Sequence, residues 1–414
     1  MPKVLIIGGG AAGMMSAVIS AMNGCEVHLF EQNEKLGKKL YITGKGRCNF
    51  TNACDMETLF ANVITNEKFM YSAFNGYNNY DVIDFFESLG VKTKIERGNR
   101  VFPQSDHSSD IILGLSRKMK ELDVKIHLRS KVLELLLEDE VVKGIMLDNQ
   151  TIFNGDRIIV ATGGLSYAST GATGDGYRFA NGAKHNVAEQ RPSLVPMEVA
   201  EDYIKELQGL SLKNVTLSIF DQDKKCFDAF GEMMFTHFGI TGPLVLTASA
   251  MIGDLLTKHS LKATIDLKSA LSLEQLDNRI LREMEAGKNK QFKNIIGGLL
   301  PSTLQKVILL QGIINPDKKV NEVTREERLK FVEYIKNFPM TITKLRGYNE
   351  AVITNGGVIT KEINPKTMES KLVKGLYFVG EVLDVDALTG GFNLQIAWSS
   401  AYAAAMNVQK EEER

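Results

Sequence analysis

The chain has 414 residues, 44% hydrophobic and 24% charged, with 49 basic against 50 acidic side chains. That length supports two or three domains, and the charge balance excludes a global pull towards nucleic acid or anionic membrane. No apolar run approaches the ~20 residues of a membrane span. The first strand begins by residue 4 and leaves no room for a signal peptide. Cys25, Cys48, Cys54 and Cys226 form no CxxC pair, and the six histidines are scattered. Reduced thiols, no metal site and a cytoplasmic location are therefore expected.

Residues 4–13, Val-Leu-Ile-Ile-Gly-Gly-Gly-Ala-Ala-Gly, read as an apolar strand running into Gly8-x-Gly10-x-x-Gly13. Gly8 allows the turn out of the strand, Gly10 lets backbone approach phosphate oxygens, and Gly13 lets the next helix pack on the sheet. The helix, Ala11 to Asn23, ends at Gly24 and points its N-terminal N–H groups at an anion. A second strand, Cys25–Glu31, ends on an acid about 20 residues past the loop, where a ribose hydroxyl is accepted. This predicts a dinucleotide site. The acid disfavours a 2′-phosphate, so NADP is not expected there, while FAD and NAD both fit.

Residues 33–53 read as a long Gly/Lys/Asn-rich loop of the functional kind. Helical patterns follow at 56–89 and 108–122, then strands at Val124–Leu128, Lys131–Leu137, Val141–Leu147 and Arg157–Ala161. The last runs into Ala161-Thr162-Gly163-Gly164, a glycine turn at the strand end where α/β sheets bind ligands. From Arg191 the texture becomes β-rich (Asn214–Phe220, Lys225–Phe230, Leu261–Leu267) around a helix starting near Pro243. Residues 272–337 are mostly helical. Strands return at Met340–Leu345, Glu350–Thr354 and Gly375–Glu381, and a final helix runs from Phe392 to about Met406. A charged tail, Lys410–Arg414, is expected to fray. The expected fold is α/β. A Rossmann-like FAD-binding domain, 1–190 with 338–414, is interrupted by a β-rich substrate or cap domain at 191–271 and a helical basic subdomain at 272–337.

Five segments carry a resemblance: 41–52 (Tyr-Ile-Thr-Gly-Lys-Gly-Arg-Cys-Asn-Phe-Thr-Asn), 161–164 with 173–177, 231–243, 354–358, and 380–395 (Gly-Glu-Val-Leu-Asp-Val-Asp-Ala-Leu-Thr-Gly-Gly-Phe-Asn-Leu-Gln). Together they resemble the BaiN/RdsA-type bacterial FAD-dependent oxidoreductases, YhiN-like predicted flavoproteins, over essentially the whole chain. The resemblance implies FAD in an extended pose. Gly8, Gly10 and Gly13 then take the pyrophosphate and Glu31 the adenosine ribose. Val132 meets adenine through its backbone, and Thr162 and Gly163 line the adenine-ribose side. Gly380 and Glu381 contact the ribityl chain and phosphate. Gly391, Phe392 and Asn393 open the last helix towards the flavin pyrimidine edge, where negative charge develops on reduction. Ala12, Gln32, Lys39, Thr43, Gly44, Arg47, Cys48, Asn49, Gly164 and Leu394 complete the implied cofactor contacts.

Arg47, Asn49 and His237 are the catalytic candidates. Plainer readings stand beside several of the site residues: Arg47 as an ion-pair partner, Cys48 as a small buried residue, Asn393 as a cap or core amide, His237 as a satisfied core histidine. The resemblance further implies reduction of an activated C=C bond, with NAD(P)H as transient donor. The substrate is expected to be a small unsaturated ketone or a uridine of ribosomal RNA. A second GxGxxG for nicotinamide is absent, as is a CxxC for disulfide reduction. An amine or hydroxy-acid oxidase, or a flavin-bound sensor without turnover, are the alternatives. Residues 286–346 hold twelve basic residues against five acids, which suits an RNA substrate or a merely solvated face.

Overall fold

The computed structural model describes residues 1–409, so the expected frayed tail lies outside the described residues. The chain divides into two compact units, 1–192 with 348–414, and 193–347.

The first unit is built on a five-stranded parallel sheet in the order Leu376–Phe378, Arg157–Val160, Lys3–Ile7, Glu26–Glu31, Lys125–Leu128. Val4, Leu5 and Ile6 of its central strand are fully buried, as both faces of a parallel sheet are covered. Helix Ala11–Met22 covers it and packs against the last helix, Phe392–Ala405. Two antiparallel three-stranded sheets flank it, one of Thr51–Asn52, Arg100–Pro103 and Thr93–Glu96, the other of Val132–Glu138, Val141–Leu147 and Ile152–Asn154.

Several expected elements are corrected. The 33–53 stretch contains a short helix, Lys38–Ile42, a 3-10 turn, Thr43–Gly46, and strand Thr51–Asn52. The helical pattern at 56–89 is broken into Met56–Ala61, Glu67–Met70, Tyr71–Gly76 and Asn79–Ser88. Asn66 sits in the left-handed region, and Asn78 starts the last piece with a capping box to Asp81. The strand expected at 375–381 spans only Leu376–Phe378, because Gly380 turns at φ 72°. Helix Asp175–Gly182 was not anticipated.

In the second unit six strands close a barrel in the order Met197–Val199, Gly239–Thr241, Lys224–Phe235, Ser211–Asp221, Leu261–Asp266, Phe338–Leu345. Closure leaves no unpaired edge. Helices Leu273–Ala286, Ser302–Leu310 and Arg325–Lys336 contribute to the same apolar core, with Ile280, Leu304 and Phe331 packed in one cluster with Ile219 and Ile265.

Trp398, the only tryptophan of the chain, is fully buried in the first unit. Its indole N–H donates to the Phe50 carbonyl at 2.8 Å, and its ring meets Phe86 edge-on. Trp398→Phe leaves that carbonyl unpaired, and a loss of about 1–3 kcal/mol is expected, measured by urea unfolding followed by far-UV circular dichroism.

Candidate functional site

The parallel strands of the first unit bring the glycine loop, Glu31 and the 161–164 turn together at their C-terminal ends. Gly8 turns at φ 106°, and a Cβ there would stand 2.5 Å from the Ala161 carbonyl. A Cβ on Gly13 would stand 1.8 Å from the Gly8 carbonyl, so the helix packs onto the loop only because residue 13 is glycine. Gly10 is different: its backbone is ordinary and extended (φ −81°), and a Cβ would meet nothing within 4 Å. Neither backbone conformation nor packing requires glycine at position 10, where the surface stays open to the backbone.

Glu31 is buried. It accepts from Gly9 N–H at 2.7 Å and from the Asn33 backbone and amide at 2.8 and 2.7 Å. The carboxylate is thus oriented and retains room to accept from a hydroxyl. Ser130 N–H donates to the Glu31 carbonyl at 2.9 Å, which places Val132 at the start of its strand beside the end of the second one. The Gln32 amide donates to the Gly171 carbonyl at 2.7 Å and holds the 168–174 turn against the same edge.

Gly380 lies across from the first turn of helix Ala11–Met22, where its Cβ would stand 2.9 Å from Ala12. Beside it Glu381 pairs with Lys39 at 2.6 Å and accepts from Thr354 N–H at 3.0 Å. Gly164 packs so closely that a Cβ would stand 2.5 Å from the Thr354 hydroxyl. That hydroxyl in turn receives Leu165 N–H at 2.8 Å and Ser166 N–H at 3.1 Å. Thr354 was absent from the expected site, although it stands in one of the five quoted segments. Tyr177 is a second such residue: its hydroxyl is buried without a hydrogen-bond partner among the described residues. Burial raises its pKa.

Loop 43–49 is held from its own base. The Thr43 hydroxyl donates to the Lys39 carbonyl, Gly44 and Lys45 adopt left-handed backbone, and Cys48 N–H returns to the Thr43 carbonyl at 3.0 Å. The Cys48 thiol is fully buried, and desolvation pushes its pKa up. A buried neutral thiol is a poor nucleophile. Arg47 is engaged with Glu96 and with Asp106, where its Nε donates at 2.7 Å, and its guanidinium stacks on Phe102 at 4.3 Å. The Asn49 Oδ1 is buried with no partner among the described residues.

Gly391 opens the last helix at φ 99°, and a Cβ would stand 2.3 Å from the Thr51 carbonyl. Phe392 is buried and Leu394 partly so. The Asn393 side chain does not cap the helix. It receives Ala387 N–H at 2.9 Å and donates to the Ala387 carbonyl at 2.6 Å, fixing the preceding turn. In that turn burial pushes the Asp384 carboxyl up, opposed by the Asn66 amide at 3.0 Å.

A dinucleotide flavin fits these residues. Helices Ala11–Met22 and Phe392–Ala405 both begin at a glycine with no side-chain cap and no acid in the first turn, leaving N–H donors and positive dipole ends for anionic groups. The Thr162 hydroxyl is also buried without a partner among the described residues. His237 belongs to the other compact unit, exposed in the turn between Lys224–Phe235 and Gly239–Thr241 with its ring against Phe238.

The model of the HI0933-like protein Rossmann domain matches residues 2–407. The chain belongs to this family. It is 35% identical over 413 residues to a ribosomal RNA dihydrouridine synthase of Haemophilus influenzae, covering 98% of each chain. It is 31% identical to the Escherichia coli protein of the same name (98% and 97% covered), and 30% identical to the 3-dehydro-bile acid delta(4,6)-reductase of Clostridium scindens (98% of each). Among solved structures, a 3-ketosteroid delta1-dehydrogenase of Sterolibacterium denitrificans shares the fold at a TM-score of 0.53 and 12% identity, with 99% of each chain covered. The delta4-(5alpha)-dehydrogenase of Rhodococcus jostii shares it at 0.51 and 13%, covering 99% of this chain and 97% of that one.

Two outcomes are expected. Gly10→Val keeps the melting temperature measured without added FAD but loses copurifying flavin, read by visible absorbance. Gly13→Ala loses both, because its Cβ collides with backbone. The Arg47 hydrogen bond holds the Glu96 carboxyl low, and the Lys94 and Arg47 hydrogen bonds do the same for Asp106. Depressed carboxyls stabilise the fold above their unfolded range, about pH 4, and lose that contribution as pH falls through the lower folded values. The melting-temperature gap between wild type and Arg47→Leu is therefore constant from about pH 5 to 8 and shrinks below about pH 4.

Proposed function

We propose that this FAD-dependent oxidoreductase reduces the C5=C6 bond of a uridine in ribosomal RNA to dihydrouridine, with NADH or NADPH as electron donor. The observation that carries this reading is full-length similarity, at 35% and 31% identity, to two proteins named for that reaction. FAD, when bound, supplies two-electron hydride chemistry at flavin N5. The glycine loop and the uncapped start of helix Ala11–Met22 bind the pyrophosphate, and Glu31 accepts from the adenosine ribose. The backbone at Val132 and the 162–164 turn receive the adenosine end. Lys39 orients Glu381 at the ribityl side. The start of the last helix, at Gly391 to Leu394, stabilises negative charge at the pyrimidine edge. Arg47 acts by holding loop 43–49 in place around Asn49, whose buried Oδ1 has no partner among the described residues.

A small unsaturated ketone is the second substrate class, favoured by the 30% identity to the bile acid reductase across 98% of both chains. Among the described residues no helix is long and apolar enough to cross a membrane.

The test is anaerobic incubation of FAD-loaded protein with NADH or NADPH and ribosomal RNA from cells lacking the enzyme, followed by nucleoside analysis. Dihydrouridine is expected, with its yield reduced at least tenfold in Gly10→Val. Reduction of a 4,6-unsaturated ketosteroid without RNA product would replace the proposed substrate. Failure of either nicotinamide to bleach the flavin would bring the oxidase and sensor readings forward.

A further inference from the structure

The peptide joining Gly390 to Gly391 stands immediately before the last helix. Both glycines have positive φ, 128° and 99°. With no Cβ on either side, such a peptide turns over at little cost. A side chain fixes which way it faces. The Asn52 amide donates to the Gly390 carbonyl at 2.9 Å and to the Gly98 carbonyl at 3.0 Å, which occupies both of its N–H groups.

Asn52 is itself anchored. It is 3% exposed, its carbonyl accepts from the Asn79 amide at 2.6 Å, and it pairs with Arg100 across the strand. The next residue, Ala53, donates its N–H to the Asn99 carbonyl at 2.7 Å, so strand Thr51–Asn52 and the 97–99 turn form one piece. On the helix side, the Asn393 amide binds the carbonyls of Ala387 and Leu388, and Gly391 lies against the Thr51 carbonyl. None of these contacts holds the Gly390 carbonyl. A trans peptide points its carbonyl and its N–H in opposite directions. With the carbonyl drawn to Asn52, the Gly391 N–H faces away from Asn52.

We infer that Asn52 is a positioning residue that keeps the Gly391 N–H, rather than the Gly390 carbonyl, turned towards the flavin, and so stabilises the reduced cofactor over the oxidised one. The inference rests on the FAD reading above, in which the start of this helix meets the pyrimidine edge. Turned over, the peptide presents a carbonyl dipole where negative charge develops on reduction, and attraction becomes repulsion. The oxidised ring carries no such charge and responds less.

The test compares FAD-loaded wild type with Asn52→Leu and Asn79→Leu. Asn79 is a matched control: it is 2% exposed, and its amide donates to two carbonyls, those of Asn52 and Cys54, but not to Gly390. Both variants are expected to lower the melting temperature measured without FAD. Only Asn52→Leu is expected to lower the reduction potential of the bound flavin, read anaerobically against a reference dye. Losing one hydrogen bond to a charged group weakens binding of reduced relative to oxidised FAD about tenfold. For a two-electron couple that is a fall of about 30 mV. If Asn52→Leu does not fold, Asn52→Ser is measured in its place, with a fall in the same direction expected.

An unchanged potential in the Asn52 variant overturns the inference, as does an equal fall in the Asn79 variant, which would mark a merely structural role. Dihydrouridine formed by the wild type, with the potential unmoved in the Asn52 variant, overturns it while leaving the proposed function standing. A fall confined to the Asn52 variant, with no dihydrouridine from the wild type, does the reverse.

Discussion

The structure of the first unit depends on the contact between Gly13 and the Gly8 carbonyl, where not even a methyl group fits. It sets how deeply helix Ala11–Met22 sinks onto the sheet, and hence where its N–H donors point. The loop is gripped from both sides. Gly8 N–H extends the sheet to the Phe30 carbonyl at 2.8 Å, Gly9 N–H binds Glu31, and Gly37 N–H binds the Gly9 carbonyl at 2.9 Å. A cradle held this way has little conformational freedom left to lose when an anion arrives. The second uncapped helix, starting at Gly391, is positioned by the same device, a glycine pressed against a carbonyl, here that of Thr51.

Much of this frame was legible because it is local. The run from Val4 to Gly13, the acid at 31, the Val141–Leu147 strand and the glycine turn after Val160 each declare themselves within a dozen residues. Barrel closure does not. It requires Ser211–Asp221 to pair with Leu261–Asp266, and Met197–Val199 with Phe338–Leu345, partners far apart in sequence and invisible to periodicity. The same distance hid the partners of Arg47: Glu96 and Asp106 lie 49 and 59 residues away.

Other misses were matters of backbone geometry. The helical pattern at 56–89 has the right composition but is interrupted by left-handed Asn66 and capped anew at Asn78. Asn393 looks like a helix cap by position, yet its amide and carbonyl are both spent on residue 387. That leaves the helix start undecorated, which is what an incoming anion needs. Thr354 and Tyr177 stood inside quoted segments, but only the folded arrangement distinguishes a residue that holds a turn together from one that merely accompanies it.

The second unit begins and ends at one place. Arg346 N–H donates to the Pro196 carbonyl at 2.9 Å, and Met197 pairs with Leu345, so the chain leaves the barrel beside the strand by which it entered. An insertion whose ends meet behaves as a cassette: exchanging it for another of the same mouth width asks nothing of the glycine loop or its sheet. Evolution can thereby exchange the barrel without rebuilding the glycine loop or the strands that hold it.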